Sequence, residues 1–566
     1  MPQPFRTLTA IVLLCCCLPV QADPYQVSVK RVPPAGIDGS LVIVGGGKIP
    51  EEIREQFIRL AGGKDGRLVV IPTASTRADK DDSPSFARPW KAAGLANVAV
   101  LHSRDHKRAD VPKFVAPLKT ATAVWFGGGS QQRIADVYLG TAVERELHAL
   151  LKRGGVIGGT SAGAAIMSRV MIARGNPKAI LAKGFDLLPD VTIDQHFTQR
   201  KRKPRLLGVL KKHPARVGIG IDESTAVIVR GRRMVVVGKG NVTLLLSANG
   251  HLKSREFILE PKGVADLTAL RRAAVSRTLP PYPMQKPPVP DVPSGSLVIV
   301  GGGGMTKDVA RKFVELAGGP ESLIVYLPTA VPERQARRAR IPSFLRRAGA
   351  KNVKVLPQSR LKDVESPRCL AVLKKARGVW FGGGRQWRFI DAYAGTKAEP
   401  LLHDVLKRGG VIGGSSAGAS IQGGYLARAN PLGNRDIMAD GYERGLNFLP
   451  GVAIDQHFAQ RKRFRDMTQL MQRYPQLLGI GIDEATAIVV QQSLATVMGR
   501  GEVHFYDRRK PLLPEQPDHE SLSAGDRYDL KSRRAIPRPP VEARKPHRVV
   551  ELRTRKETIS RFVPLL

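Results

Sequence analysis

Cysteine is nearly missing from this chain of 566 residues: there are four, and three of them, Cys15, Cys16 and Cys17, sit in one N-terminal apolar run. With that run set aside only Cys369 remains, so no internal disulfide can form and the folded parts depend on their own cores. Cys369 has no histidine or acidic motif beside it, which argues against a nucleophilic thiol. Past the N-terminus no apolar run approaches the roughly 20 residues that span a bilayer, which excludes a helical membrane protein. Acidic residues are also scarce, 49 Asp and Glu against 90 Lys and Arg, for a formal net charge of +41. Such an excess draws a molecule towards polyanions. No nucleic-acid motif accompanies it and the basic residues are spread over the whole length, so it reads as general surface charge with no specific nucleic-acid partner. A hydrophobic content of 42% excludes a disordered chain.

The length calls for several domains. Arg6, the apolar run Leu8–Val20 and the small residue Ala22 before Asp23 have the form of a secretory signal over residues 1–22, so the mature chain is expected to be exported, to the periplasm or beyond. Bulky leucines and neighbouring cysteines before each candidate Cys disfavour a lipid anchor.

The rest is one unit written twice. Gly155-Val-Ile-Gly-Gly-Thr-Ser161-Ala-Gly-Ala164 returns as Gly410-Val-Ile-Gly-Gly-Ser-Ser416-Ala-Gly-Ala419. Ser40-Leu-Val-Ile-Val-Gly-Gly-Gly47 returns as Ser296-Leu-Val-Ile-Val-Gly-Gly-Gly303, and Val124-Trp-Phe-Gly-Gly-Gly-Ser-Gln131 as Val379-Trp-Phe-Gly-Gly-Gly-Arg-Gln386. Short apolar strands alternate with helix-period segments. The expected fold class is therefore α/β: two tandem open, mostly parallel sheets with helices on both faces. The expected boundaries are residues 23–275, a Pro-rich linker at 276–294, 295–530, and a basic tail at 531–566. Duplication also raises the expectation that the two domains pack as an intramolecular pseudo-dimer.

Gly-x-Ser-x-Gly between an apolar strand and small, helix-compatible residues is the form of a nucleophile elbow, a sharp turn that presents one hydroxyl at a strand end. A serine needs a base within hydrogen-bond reach, held by a third group. Both repeats supply one: Ile193-Asp-Gln-His-Phe197 and Ile454-Asp-Gln-His-Phe458, then Gly218-Ile-Gly-Ile-Asp-Glu223 and Gly479-Ile-Gly-Ile-Asp-Glu484. The serines stand 255 positions apart, whereas the histidines and the glutamates stand 261 apart, so repeat two has six extra residues between serine and histidine. Serine, histidine and glutamate survive in both copies while the intervening loop drifts. Taken singly, such a histidine is often a structural group and an Asp-Glu pair a helix cap; all three together, twice, point to one site. No second His or Cys stands at ligand spacing from Asp194, His196 and Glu223, so neither metal nor cofactor is expected.

These motifs together resemble cyanophycinase and, more distantly, the aspartyl dipeptidases of the same serine peptidase family, over roughly residues 39–246 and 295–505. The resemblance implies a sheet similar to class I glutamine amidotransferases. It implies Ser161, His196 and Glu223 as nucleophile, base and orienting acid, with Ser416, His457 and Glu484 as counterparts. It places the oxyanion hole at the amides of Gly128 and Ala162, and of Gly383 and Ala417, and makes Gln131 and Gln386 substrate contacts. Asp194, Gln195, Arg200, Arg202 and Arg205 would line the substrate site, as would Asp455, Gln456, Arg461 and Arg463 in repeat two, where Asp466 replaces the third arginine. Arginines beside the base suit carboxylates, and Asp194 or Asp455 would meet a guanidinium. The activity implied is hydrolysis of β-aspartyl bonds in aspartyl-arginine polymers or dipeptides. The alternatives are an α-aspartyl exopeptidase, or a binding protein for acidic surface polymers that has lost turnover.

Overall fold

The computed structural model describes residues 31–80, 83–509, 511 and 515–537. The signal-type N-terminus and the last stretch of the basic tail lie outside them. Each repeat builds one large mixed sheet and one small sheet, and the site forms where the two abut.

In the first unit five strands run parallel in the spatial order Asn97–Val100, Arg67–Ile71, Ala123–Phe126, Val156–Thr160 and Ser40–Val44. Three antiparallel strands, Thr225–Arg230, Arg233–Gly238 and Val264–Asp266, extend the sheet beyond Ser40–Val44. The continuous apolar strand sequences follow from burial on both faces. Along Ser40–Val44, Leu41 and Ile43 enter one core while Val42 and Val44 enter the opposite one, the period of two that a pleated strand imposes. Leu297 and Ile299 against Val298 and Val300 repeat this in the second unit. There the parallel strands are Val353–Val355, Ile324–Leu327, Gly378–Phe381, Val411–Ser415 and Val292–Val300. Helices cover both faces: Glu51–Leu60 buries Ile53 and Phe57, with Phe57 edge-on to Trp125 at 4.9 Å.

The small sheet of the first unit has Val191–Gln195 parallel to Val217–Ile221, followed by two antiparallel strands, Val242–Leu246 and Arg255–Leu259. In the second unit Leu449–Gln456 and Leu478–Ile482 correspond to the parallel pair. From Ile221 the chain crosses within four residues into the large-sheet strand Thr225–Arg230, so Glu223 stands at the passage between sheets.

Two features depart from the sequence reading. The tail does not begin at Lys531: Arg534–Ile536 pairs with Arg527–Asp529 at the edge of the second large sheet. The Arg533 guanidinium is buried against Leu477 O, Gln476 O and Asp507, because a buried strand-end carbonyl needs a donor. The two units also meet through unlike faces rather than as a two-fold pair. Arg232 and Arg272 of the first unit hold Asp391 of the second at 2.6 and 3.0 Å, and Tyr442 donates to the same carboxylate at 2.8 Å. The helix Leu267–Ser276 supplies Arg272, and its Ala269 packs on the second core. Among the described residues the second unit has no such helix. After Asp529, the counterpart of Asp266, it turns into its own edge strand instead. The proline linker lies along the second unit, with the Tyr282 ring under the Arg444 guanidinium at 4.0 Å.

Candidate active site

Ser161 follows the strand Val156–Thr160 and precedes the one-turn helix Ala162–Ala165 with φ 51° and ψ −106°. Ser416 repeats this at φ 56° and ψ −113°. An L-residue holds such a conformation at a cost of about 1–3 kcal/mol, and only where its surroundings fix it. Here the serine N–H donates to Val44 O, or Val300 O, at 3.0 Å. The neighbouring glycines are obligatory: a Cβ on Gly159 would lie 2.3 Å from Gly163 O, and one on Gly163 2.4 Å from Phe126 O.

His196 leaves the small-sheet strand with φ 50°, its N–H donating to Gly45 O at 2.7 Å. The turn sends the imidazole across to the large sheet. Ser161 Oγ lies 2.9 Å from His196 Nε2, and His196 Nδ1 lies 2.5 Å from Glu223 Oε1. In the second unit the distances are 3.0 Å from Ser416 to His457 and 2.5 Å from His457 to Glu484. Groups separated by 27 to 41 positions thus converge twice in one geometry, with the imidazole about 10% exposed and the carboxylate about a third exposed. Burial pushes both histidines below the ordinary imidazole value. The glutamate hydrogen bond opposes that shift, and Arg200 or Arg461 nearby adds to it. The imidazole is therefore neutral at pH 7, with Nε2 free to take the serine proton.

Beside the serine runs Gly127-Gly-Gly129. Gly127 N donates to Ile71 O and Ser130 N to Ala74 O, which anchors the two ends of this glycine segment. A Cβ built on Gly128 would stand 3.6 Å from Ser161 Cβ, as one on Gly383 would from Ser416 Cβ. Gly128 and the first residue of the serine helix, Ala162, thus adjoin Ser161.

Several supporting residues escaped the sequence reading. A Cβ on Gly46 would meet His196 Cε1 at 2.3 Å, and one on Gly47 would meet Glu223 Cβ at 3.0 Å; Gly302 and Gly303 stand the same way to His457 and Glu484. These glycines are the floor on which base and acid lie, and the repeated Val-Gly-Gly-Gly was the signal available for them. Gln199 and Gln460 accept from the Glu223 and Glu484 N–H groups at 3.0 and 2.9 Å.

The arginines divide differently from the expectation that all receive substrate. Asp194 and Asp455 have no exposed surface. Asp194 is clamped by the Arg205 fork, with Arg202 at 3.5 Å, and Arg202 also donates to both Gln195 oxygens. Asp194, Gln195, Arg202 and Arg205 are therefore joined to one another beneath the site, because a buried carboxylate requires paired cations. In the second unit Arg463 and Arg428 hold Asp455 at 2.8 Å. Arg428, from the longer segment of repeat two, donates to Asp466 at 2.6 Å as well. Asp466 thus opposes no substrate pocket: the arginine missing from its position enters from the loop, and the aspartate balances it. The repeat pattern does not show this: Ala427-Arg-Ala-Asn-Pro431 matches Ala173-Arg-Gly-Asn-Pro177, yet Arg174 is exposed where Arg428 is buried. Gln131 Nε2 donates to Ile172 O and Ala173 O, and Gln386 Nε2 to Ala427 O, so both amides also anchor the segment after the serine helix. Of the arginines singled out in the motifs, Arg200 and Arg461 are exposed beside the base with no ion pair among the described residues, and exposed Lys201 and Lys462 adjoin them.

The profile of Peptidase family S51 matches residues 41–237 and again 297–498. The cyanophycinase of Geminocystis herdmanii (strain PCC 6308) is 35% identical over 218 residues, 36% of this chain and 80% of that protein. The cyanophycinase of Synechococcus elongatus is 32% identical over 238 residues, 40% of this chain and 73% of that protein. Among solved structures, a peptidase from an acI-B1 Actinobacterium is 25% identical, with 41% of this chain and 98% of that chain covered and a TM-score of 0.32. With more than half of its length matched, and matched in two consecutive copies, the chain belongs to peptidase family S51 and is a serine-type peptidase.

Proposed function

We propose that each unit hydrolyses β-aspartyl peptide bonds, of the kind that link aspartate to arginine in cyanophycin, through a seryl acyl-enzyme. The observation that carries this reading is the duplicated Ser–His–Glu convergence, with the hydroxyl in a strained turn at the head of a helix. Ser161 Oγ attacks the β-carbonyl while His196 Nε2 takes its proton. Glu223 holds the imidazole in the right tautomer and stabilises the imidazolium. Negative charge developing on the carbonyl oxygen is met by the Gly128 and Ala162 N–H groups, each donor of this kind being worth about 2.7–4 kcal/mol of barrier. The imidazolium then protonates the departing amine, and water, deprotonated by the same histidine, releases aspartate and restores the serine. Arg200 and Arg461, exposed beside the base, supply a charge for a free substrate carboxylate. Substrates of this type outside the cell fit the signal-type N-terminus, so we place the enzyme in an exported compartment.

Ser161→Ala, Ser416→Ala and the double variant, treated with a serine-directed acylating reagent, test the mechanism by intact-mass analysis. One adduct is expected in each single variant and none in the double. Digestion of cyanophycin should release free arginine, the amine freed when the β-aspartyl bond breaks, detected by mass spectrometry. An unmodified wild-type protein, or cleavage of α-aspartyl dipeptides alone, would sink the reading.

A further inference from the structure

The two sites share their triads but not the surface around them, and the differences add positive charge to the second. Arg385 stands two residues beyond Gly383, where the first unit has Ser130. Its Nη2 donates to Asn430 O at 2.5 Å and Gly433 O at 2.7 Å, which fixes the guanidinium against the longer segment of repeat two. Two carbonyls orient a guanidinium without neutralising it, and its Nε is buried with no acceptor. The one nearby loop carboxylate with a recorded bond, Asp436, accepts from Asn430 Nδ2 instead. Beside it, Arg385 N donates to Ala330 O. The loop from Ala330 leaves the C-terminal end of Ile324–Leu327, two strands from the end that carries Ser416. Neighbouring strands lie about 4.8 Å apart, so that loop starts roughly 10 Å from the catalytic strand. It reads Pro332-Glu-Arg-Gln-Ala-Arg-Arg-Ala-Arg340. Its single glutamate is taken by Arg337 and Arg360, while Arg334, Arg338 and Arg340 are exposed with no ion pair among the described residues. The corresponding loop of the first unit is balanced: Asp79 pairs with Arg104 at 2.8 Å, and Lys80-Asp81-Asp82 follow.

We propose that the second site is specialised for anionic aspartyl chains, with Arg385 receiving a substrate carboxylate beside the oxyanion amides and Arg338 and Arg340 holding further carboxylates of the same chain. The first site, lacking these charges, takes the zwitterionic aspartyl-arginine units. The inference rests on the proposed hydrolase reading for its kinetic consequence but not for binding, and the two are measured separately.

Binding is read by fluorescence anisotropy of a labelled oligo-L-aspartate on the Ser161→Ala/Ser416→Ala protein, in which neither site turns over. Adding Arg385→Ser, or the surface pair Arg338→Glu/Arg340→Glu, is expected to weaken binding about ten-fold, the scale of one charge-assisted hydrogen bond. Lys211→Glu/Lys212→Glu, on the exposed end of a first-unit helix, should leave it unchanged. Equal losses from both surface pairs would mean that only the general +41 charge acts, and would overturn the proposal, as would unchanged binding in all variants. Turnover is read with β-Asp-Glu and β-Asp-Arg dipeptides. Ser161→Ala protein should prefer the anionic dipeptide about ten-fold more than Ser416→Ala protein does, and Arg385→Ser should erase that difference. Equal preferences at both sites would refute the specialisation while leaving the hydrolase reading standing; absence of all turnover would refute the hydrolase reading while the anisotropy result still decides this one.

Discussion

A single methyl group tests whether the glycine floor holds the catalytic base. In Gly46→Ala the added carbon would sit 2.3 Å from His196 Cε1 and 2.5 Å from Nε2. Ordinary carbon contacts begin near 3.5 Å, so the ring must withdraw by about 1 Å. That withdrawal breaks the 2.9 Å contact with Ser161 Oγ. General-base catalysis is worth about 10²–10⁴-fold, and a 1 Å misplacement alone about 10²-fold. We therefore expect at least a 10²-fold loss of first-site activity, measured as the rate of Ser161 acylation in a Ser416→Ala background so that no substrate need be assumed. Gly46 also has φ 108°, and alanine there costs stability on its own account. Gly62→Ala separates the effects: Gly62 has φ 103° and open space where the methyl would go. Both variants should lose similar stability in denaturant, and only Gly46→Ala should lose acylation. Acylation within about three-fold of the Gly62→Ala protein would refute the assignment of Gly46 as the floor of the base.

The remaining predictions concern charge. Arg205→Met leaves Asp194, with no exposed surface, facing only Arg202 at 3.5 Å; burial already pushes that carboxyl up and Arg205 opposes it. The variant should lose about 3–5 kcal/mol by urea denaturation, with most of it restored by adding Asp194→Asn, which removes the orphaned charge; a double variant as unstable as the single would contradict this. Because His196 is held below the ordinary imidazole value and must be neutral to act, kcat/KM should be flat at neutral pH and fall only as pH drops below about 6.5. Arg200→Gln removes a positive neighbour and should move that acid limb to higher pH, whereas an unmoved limb would exclude Arg200 as a contributor. Asp391→Ala deprives Arg232, Arg272 and Tyr442 of their shared partner between the units. Calorimetry should then show the two units melting at separate temperatures, and a single unchanged transition would argue against this contact as the coupling element.

Both the two-unit organisation and the triads were legible in the chain. Repetition is itself an alignment: Ser161, His196 and Glu223 stood out because each recurs in Ser416, His457 and Glu484 while the loops between them change length. Strand identity was legible for the same reason that the strands are buried on both faces, since a short continuous apolar run such as Leu41-Val-Ile-Val44 has few other uses. The antiparallel half of each large sheet and the separate small sheet were not legible, because pairing partners distant in sequence leave no local periodicity. The same holds for the arginines. A basic residue beside a base reads alike whether it faces solvent, as Arg200 does, or a buried carboxylate, as Arg205 does.

By itself, then, the sequence determined which groups converge, because reactive side chains and the glycines that let them approach are local choices written into each motif. Only the tertiary structure decided which charges remain free. Arg428 replaces Arg205 from an unrelated loop, and Arg385 is set by two carbonyls of the longer segment. Compensation of charge depends on distance in space, and two residues that neutralise each other need share nothing along the chain.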